Sequence, residues 1–265
     1  MDRHTFLRHL HERLSPRTYL EIGVKDGRSL ALSRVPSIGV DPDFKVTRGL
    51  RCDLHLVRST SDDFFARPDP VAHLRGGRNP IRNLRRGRPV LGGWVGRVTV
   101  DLAFIDGMHL FEYALRDLMN VERYAGPSSV IVLDDVLPRS IDEAARDRHT
   151  SAWAGDVYKI ADVLRAHRPD LVLVPMDTTP TGVLVVLGAD PRNRELQAEY
   201  ERLVAEQVRP DPQDVPASVL ERAGAVDPAR FVASPVLDLV RSMRRRRGSD
   251  DMDRLRAVVR DLVAA

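Results

Sequence analysis

Seven short apolar runs, most of them separated by stretches of helical period, restrict this chain more than any other feature. They are TYLEIGV (18–24), SIGVD (37–41), DLHLV (53–57), VDLAFID (100–106), SVIVLDD (129–135), LVLVPM (171–176) and GVLVVLG (182–188). Most are nearly continuous in Val, Ile and Leu, as strands buried on both faces are. Between them the spacing turns helical. Phe6, Leu7, Leu10 and Leu14 form one stripe, and Leu110, Ala114, Leu118 and Val121 form another that stops at Gly126-Pro127. SLALSRV (29–35) and VYKIADVLRAH (157–167) also read as helices, and SDDFFA (61–66) as a helix start with Ser61 or Asp62 as N-cap. Strands alternating with helices predict an α/β fold with a doubly wound, largely parallel sheet. The last two runs are joined only by DTTPT (177–181). A parallel crossover needs about a dozen residues or more, so these two strands are expected to pair antiparallel.

Two segments depart from the pattern. Residues 67–99 hold eight arginines with Asp69 as the lone acidic residue, and read as an Arg-rich insertion. After residue 189 the chain turns helical and charged, with a break at RPDPQDVP (209–216). The expected organisation is one domain over 1–189 and a helical extension over 190–265, with Arg244–Arg247 as a solvated helix end. Cys52 is the only cysteine, which excludes an intramolecular disulfide and a cysteine zinc cage. No apolar run approaches the roughly 20 residues of a membrane span. The opening MDRHTFLRHLHERL lacks a signal-peptide core, so a cytoplasmic protein without membrane contact is expected. The net charge is +3, and the lysines are Lys25, Lys45 and Lys159 only. The arginine bias does not by itself indicate a nucleic-acid partner.

In an open parallel sheet, ligands gather outside the carboxyl ends of the strands, so the residues leaving each strand are the candidates for chemistry. The first run leads through Glu21 to Gly23 and Gly27, a turn that lets backbone approach a ligand closely. A structural strand-to-helix turn has the same residues. The second run exits at Asp41, roughly 20 residues after the first strand, where a carboxylate can accept hydrogen bonds from ribose hydroxyls. The third leads to Thr60, Ser61 and Asp62, which could meet an adenine edge or cap a helix. The fourth exits at Asp106, followed by Gly107 and His109, and the fifth at Asp134-Asp135. Adjacent strands lie about 4.8 Å apart, so three carboxylates are expected to converge and repel. A divalent cation such as Mg²⁺ would relieve that repulsion, and His109 could take a proton from a substrate hydroxyl.

Taken together, YLEIGVKDGRSL, SIGVDP, STSDDFF and DLAFIDGMHLFEYALRDLMN with VIVLDDVLP resemble class I S-adenosylmethionine-dependent methyltransferases. The similarity is to the small-molecule and glycosyl O-methyltransferase branch with an Asp-Gly-x-His signature, and covers roughly residues 17–188. WAGDVYK and TGVLVV extend it. The resemblance implies a Rossmann-like, doubly wound seven-stranded sheet whose last strand is antiparallel, with N- and C-terminal helices added. It implies S-adenosylmethionine contacts from Glu21, Gly23, Gly27 and Asp41. It also implies a magnesium site at Asp106, Asp134 and Asp135, with His109 as base. Many relatives read His-Asp where this chain has Asp134-Asp135.

The expected reaction is methyl transfer to a hydroxyl of a small molecule or glycosyl group. Two alternatives remain: a methyltransferase-like binding module without catalysis, and an RNA methyltransferase using Arg82, Arg85, Arg86 and Arg88. The insertion has one aromatic, Trp94, for base stacking, which argues against RNA. Trp153 and Tyr158 could wall an acceptor pocket or serve packing, and the extra terminal helices are compatible with a homodimer.

Overall fold

A computed structural model describes residues 1–78, 98–245 and 248–264. Most of the Arg-rich insertion, including Arg82, Arg85, Arg86, Arg88 and Trp94, lies outside the described residues, as do Arg246 and Arg247.

All seven apolar runs are strands: β1 (Tyr19–Ile22), β2 (Ser37–Val40), β3 (Leu54–Val57), β4 (Leu102–Ile105), β5 (Val130–Asp134), β6 (Val172–Met176) and β7 (Val183–Leu187). They form one sheet in the order β3-β2-β1-β4-β5-β7-β6. β1 to β5 are parallel, and β7 runs antiparallel between β5 and β6. The hairpin expected from the short DTTPT connector is present. The chain order reverses at β1 and β4, so the exits of β1, β4 and β5 lie side by side at the point where such sheets bind ligands.

Side chains alternate across the sheet with period two. Leu20, Ile22, Ala103, Ile105, Ile131, Leu133, Leu184 and Val186 face one layer. That layer contains α2 (Ser61–Phe65), α3 (Phe111–Glu122), α4 (Ile160–His167) and α5 (Glu195–Gln207). Tyr19, Leu102, Phe104, Val130, Val132, Val183 and Val185 face the other. There they meet α1 (Arg3–Leu14), α7 (Pro228–Ala233), α8 (Val236–Arg245) and α9 (Asp251–Ala264), while the short α6 (Ala217–Leu220) lies at the side. The C-terminal helices are therefore integral to the core. Phe231, Val236, Leu237, Val240 and Leu255 are fully buried, and pack in the same cluster as Phe6, Leu7, Leu10 and Leu14 of α1. At about 1.5–3 kcal/mol for each such side chain, this seam fixes α1 against the sheet.

Three local expectations need correction. SLALSRV forms only a single 3-10 turn, Leu30–Leu32, because the chain enters it from a left-handed Gly27 and leaves through extended Ser33 toward Pro36. The N-cap of α2 is Thr60, not Ser61 or Asp62; its hydroxyl accepts from the Asp63 N–H at 3.1 Å. Arg244 is not solvated. It is 5 % exposed and 3.4 Å from Asp101, and donates to the carbonyls of Leu14, Ser15 and Ser128, so it ties α8 to the sheet edge away from the strand exits.

Candidate active site

The β1 and β2 exits build a turn. Gly23 has φ +86°, and a Cβ there would lie 1.8 Å from the Asp106 carbonyl oxygen, so only glycine lets β1 and β4 exit this close together. Asp41 holds the turn from the next strand. Its Oδ2 accepts from the Val24 and Lys25 N–H groups at 2.8 Å each, and its Oδ1 from the Asp43 N–H at 2.6 Å. Glu21 is fully buried beneath it, its two oxygens taken by the Tyr19 hydroxyl at 2.6 Å and the Ser29 hydroxyl at 2.7 Å. Burial raises the Glu21 carboxyl to about 8, against the pull of those two hydrogen bonds. As placed, Glu21 acts on the turn through Ser29.

The β3 exit is closed by its own side chains. Asp62 makes a two-pronged ion pair with Arg116 of α3, at 3.1 and 2.8 Å. Ser61 faces Asp117, a buried carboxyl that burial pushes up to about 7.

The β4 and β5 exits behave differently. By the period-two rule Asp106 follows Leu102 and Phe104, and Asp134 follows Val130 and Val132, toward the layer that contains α1. There Arg3, in the first turn of α1, pairs with Asp134 Oδ2, and its other nitrogen is 3.7 Å from Asp106 Oδ2. Asp135 adopts φ +65°, a left-handed conformation that is costly for a residue with a side chain. The turn sends Asp135 to the opposite side, where Thr181 donates to Oδ1 at 2.5 Å.

His109, just before α3, lies between the two groups. Its Nδ1 is 2.8 Å from Asp135 Oδ2 and 2.8 Å from the Trp153 carbonyl oxygen. Both partners are acceptors, so Nδ1 carries a proton. Nε2 faces Asp106 Oδ1 at 3.5 Å. The Trp153 ring stacks on the imidazole at 5.1 Å and 4°. A Cβ on Gly155 would lie 1.6 Å from the His109 carbonyl oxygen, and Asp156 accepts from the Phe111 N–H at 2.8 Å. The 153–156 loop thus fixes both the ring and the start of α3. Tyr158 is buried instead beside Ala144 and Val215, its hydroxyl directed to the Asp214 carbonyl, which is a packing role.

The electrostatics follow from this placement. Burial and the Asp135 carboxylate raise Asp106 to about 6, with Arg3 and His109 pulling the other way. Burial and then Asp135 and Asp106 hold Asp134 well above the ordinary carboxylate range, against Arg3. Burial lowers the His109 imidazole, but the Asp135 hydrogen bond and charge outweigh it and bring the ring to about 9. Asp134 Oδ1 is buried with no hydrogen-bond partner.

The structure brings together Asp106, His109 and Asp135, each offering one ligand atom within 4.8 Å of the others. Asp134, expected as a third ligand, is turned to Arg3 instead. Sequence reasoning missed Arg3. Its only signal was its place in the first turn of a predicted helix, and nothing local says which strand exit that turn reaches.

Residues 20–136 match the model of a methyltransferase domain. No curated protein matches the chain. Among solved structures, an O-methyltransferase from Bacillus cereus in complex with SAH is similar at 12 % identity and TM-score 0.40, covering 70 % of this chain and 80 % of its own. An O-methyltransferase from Streptomyces achromogenes involved in tomaymycin synthesis, in complex with SAM, is similar at 18 % identity and TM-score 0.40, covering 70 % and 79 %. Among the described residues, no helix is long and apolar enough to cross a membrane.

Proposed function

We propose, from the match of residues 20–136 to the model of a methyltransferase domain, that the chain transfers a methyl group from S-adenosylmethionine to a hydroxyl of a small molecule or glycosyl group, with His109 as the base. The observation that carries this reading is the Asp135–His109 pair. It fixes the Nδ1 proton and leaves Nε2 as the free nitrogen at the sheet edge where ligands bind.

The cofactor has a fitting place beside it. The left-handed Gly23 turn presents backbone, and Asp41 lies half-buried at its flank with further lone pairs beyond those given to the turn. Ser61 and Asp62 would meet the adenine edge, although Asp62 must share its oxygens with Arg116. When bound, S-adenosylmethionine supplies a methyl group on a sulfonium: the C–S bond breaks, an O–C bond forms, and the electron pair leaves with sulfur. The protein has to align the acceptor oxygen and remove its proton. Alignment of reacting groups can lower a barrier by about 7–11 kcal/mol, and His109 Nε2 takes the proton. Asp135 stabilises the resulting imidazolium, and the stacked Trp153 ring holds the imidazole in plane while Gly155 packs on the His109 backbone.

The magnesium set expected at Asp106, Asp134 and Asp135 does not fit this arrangement. Asp134 Oδ2 is bonded to Arg3, and both Asp135 oxygens already accept, from Thr181 and His109.

The test is methyl transfer from labelled S-adenosylmethionine to a panel of small-molecule and glycosyl hydroxyls. His109→Ala is expected to lower kcat by about 10²–10⁴-fold while cofactor affinity stays within about twofold. Full turnover by His109→Ala on a true acceptor removes the base, and cofactor binding without transfer to any acceptor favours a binding module.

A further inference from the structure

Arg3 enters the acidic exits from an element that the transfer chemistry does not require. We propose that the Arg3 guanidinium is the site's resident cation: it balances the β4 and β5 carboxylates in place of a divalent metal, so that proton removal by His109 proceeds without one. This rests on the methyltransferase reading for its catalytic consequence, but not for its charge claim.

Arg3 is built into position. Asp2 caps α1, its carboxylate accepting from the His4 and Thr5 N–H groups at 3.0 and 3.1 Å and from the Thr5 hydroxyl at 2.6 Å. The Arg3 N–H donates to the Thr179 carbonyl at 3.2 Å, and the Thr179 N–H returns to the Met1 carbonyl at 3.0 Å. The first turn of α1 is therefore pinned to the β6–β7 connector, two residues from the Thr181 that holds Asp135. Phe6, Leu7 and Leu10 bury the rest of the helix. From this anchor the guanidinium spans the two carboxylates that share its layer, Asp134 and Asp106.

The charges require something in that position. Asp134 is 2 % exposed at its side chain and Asp106 18 %. Buried carboxylates this close repel, and without a cation they would take up protons. The planar guanidinium donates in two directions at once and is always charged. With Asp134 engaged there and Asp135 engaged by Thr181 and His109, few free carboxylate oxygens remain. A metal would have to draw on Asp106, on the remaining Asp134 oxygen and on His109 Nε2, the nitrogen that acts as base.

The experiment uses the full chain stripped with chelator, with Mn²⁺ as the probe, followed by its paramagnetic signal and by thermal melting. Wild type is expected to show no saturable Mn²⁺ binding and to keep its methyl-transfer rate in chelator. Arg3→Gln is expected to lose at least about tenfold in rate in chelator, the size of one charge-assisted contact. It should also acquire Mn²⁺ binding that a further Asp106→Asn abolishes. Arg3→Lys should recover part of the lost rate, which a purely structural defect would not predict. Stoichiometric Mn²⁺ binding by stripped wild type overturns the proposal, as does Arg3→Gln acting like wild type without metal. If Arg3→Gln does not fold, the wild-type titration still decides. If no acceptor is ever methylated, the titration decides the charge claim while the methyltransferase reading fails separately.

Discussion

The exits of β1 and β2 and the exits of β4 and β5 lie side by side, and both are lined with carboxylates, yet they are in opposite physical states. At β1 and β2 every carboxylate oxygen has a partner: Glu21 receives two hydroxyls, and Asp41 receives three backbone N–H groups. At β4 and β5, Asp135 is left-handed, Asp134 Oδ1 has no partner, and His109 meets Asp106 only at 3.5 Å. Satisfied polar groups make a rigid cradle, whereas partly satisfied ones keep lone pairs and charge available. The comparison teaches a division of labour. On the proposed function, one half would shape backbone for a cofactor, and the other would keep an imidazole and three carboxylates for proton transfer.

The two halves touch at Gly23, and the largest effect is expected there. Gly23→Ala would drive a Cβ to 1.8 Å from the Asp106 carbonyl and 3.0 Å from the Gly107 nitrogen, at φ +86°. Neither partner is the flexible end of a side chain. Denaturant unfolding should show a loss of at least about 4 kcal/mol, or no folded protein. A loss under about 1 kcal/mol would mean that the halves are not locked backbone to backbone.

A smaller effect tests their independence. Asp41→Ala removes the acceptor of three N–H groups in a half-buried turn. We expect a stability loss of about 1–3 kcal/mol and weaker cofactor binding, with the proton chemistry of the other half untouched. A base must be unprotonated to act, and His109 is raised to about 9. In the free enzyme kcat/KM should therefore fall as pH drops below about 9, in wild type and Asp41→Ala alike. A shift of that limb in Asp41→Ala would join the two halves.

How much of this was legible beforehand follows the same divide. Strand positions, the antiparallel β7 and the strand-exit residues are local, set by apolar runs and turn residues. The β4–β5 triplet of carboxylates was equally visible, but its split was not. Strand parity alone places Asp134 on the α1 side; the left-handed turn at Asp135, which sends that carboxylate to His109, has no sequence signature when the residue is not glycine. Arg3 and Arg244 were illegible for a related reason. Each belongs to a helix outside the strand series whose docking site is fixed by the tertiary seam of Phe6, Leu10, Phe231 and Val240. Trp153, flagged beside the WAGDVYK block, is stacked on His109, whereas Tyr158, flagged with it, is core.

The smallest step, taken per pH unit, concerns Glu21, and it tests whether the satisfied half is electrically silent in the working pH range. Its carboxyl titrates near 8 in the fold against 4.5 as a free side chain. Between those values the folded state retains a proton that the unfolded state has released. The contribution is thus fully present below about 4.5 and is lost as pH rises through about 8. One such proton gives a slope of at most about 1.4 kcal/mol per pH unit. Glu21→Gln keeps the shape and cannot titrate, and the Tyr19 and Ser29 hydroxyls can each turn to accept as well as donate. Its unfolding free energy, measured from pH 5 to 8, should therefore fall less steeply than that of wild type, by up to one proton's share, while Asp106, Asp117 and His109 keep their own part of the slope. Identical slopes in the two proteins would mean that Glu21 is already ionised beneath the turn. The β1 exit would then carry a buried charge of its own, and the contrast with the β4 and β5 exits would narrow to the presence of His109.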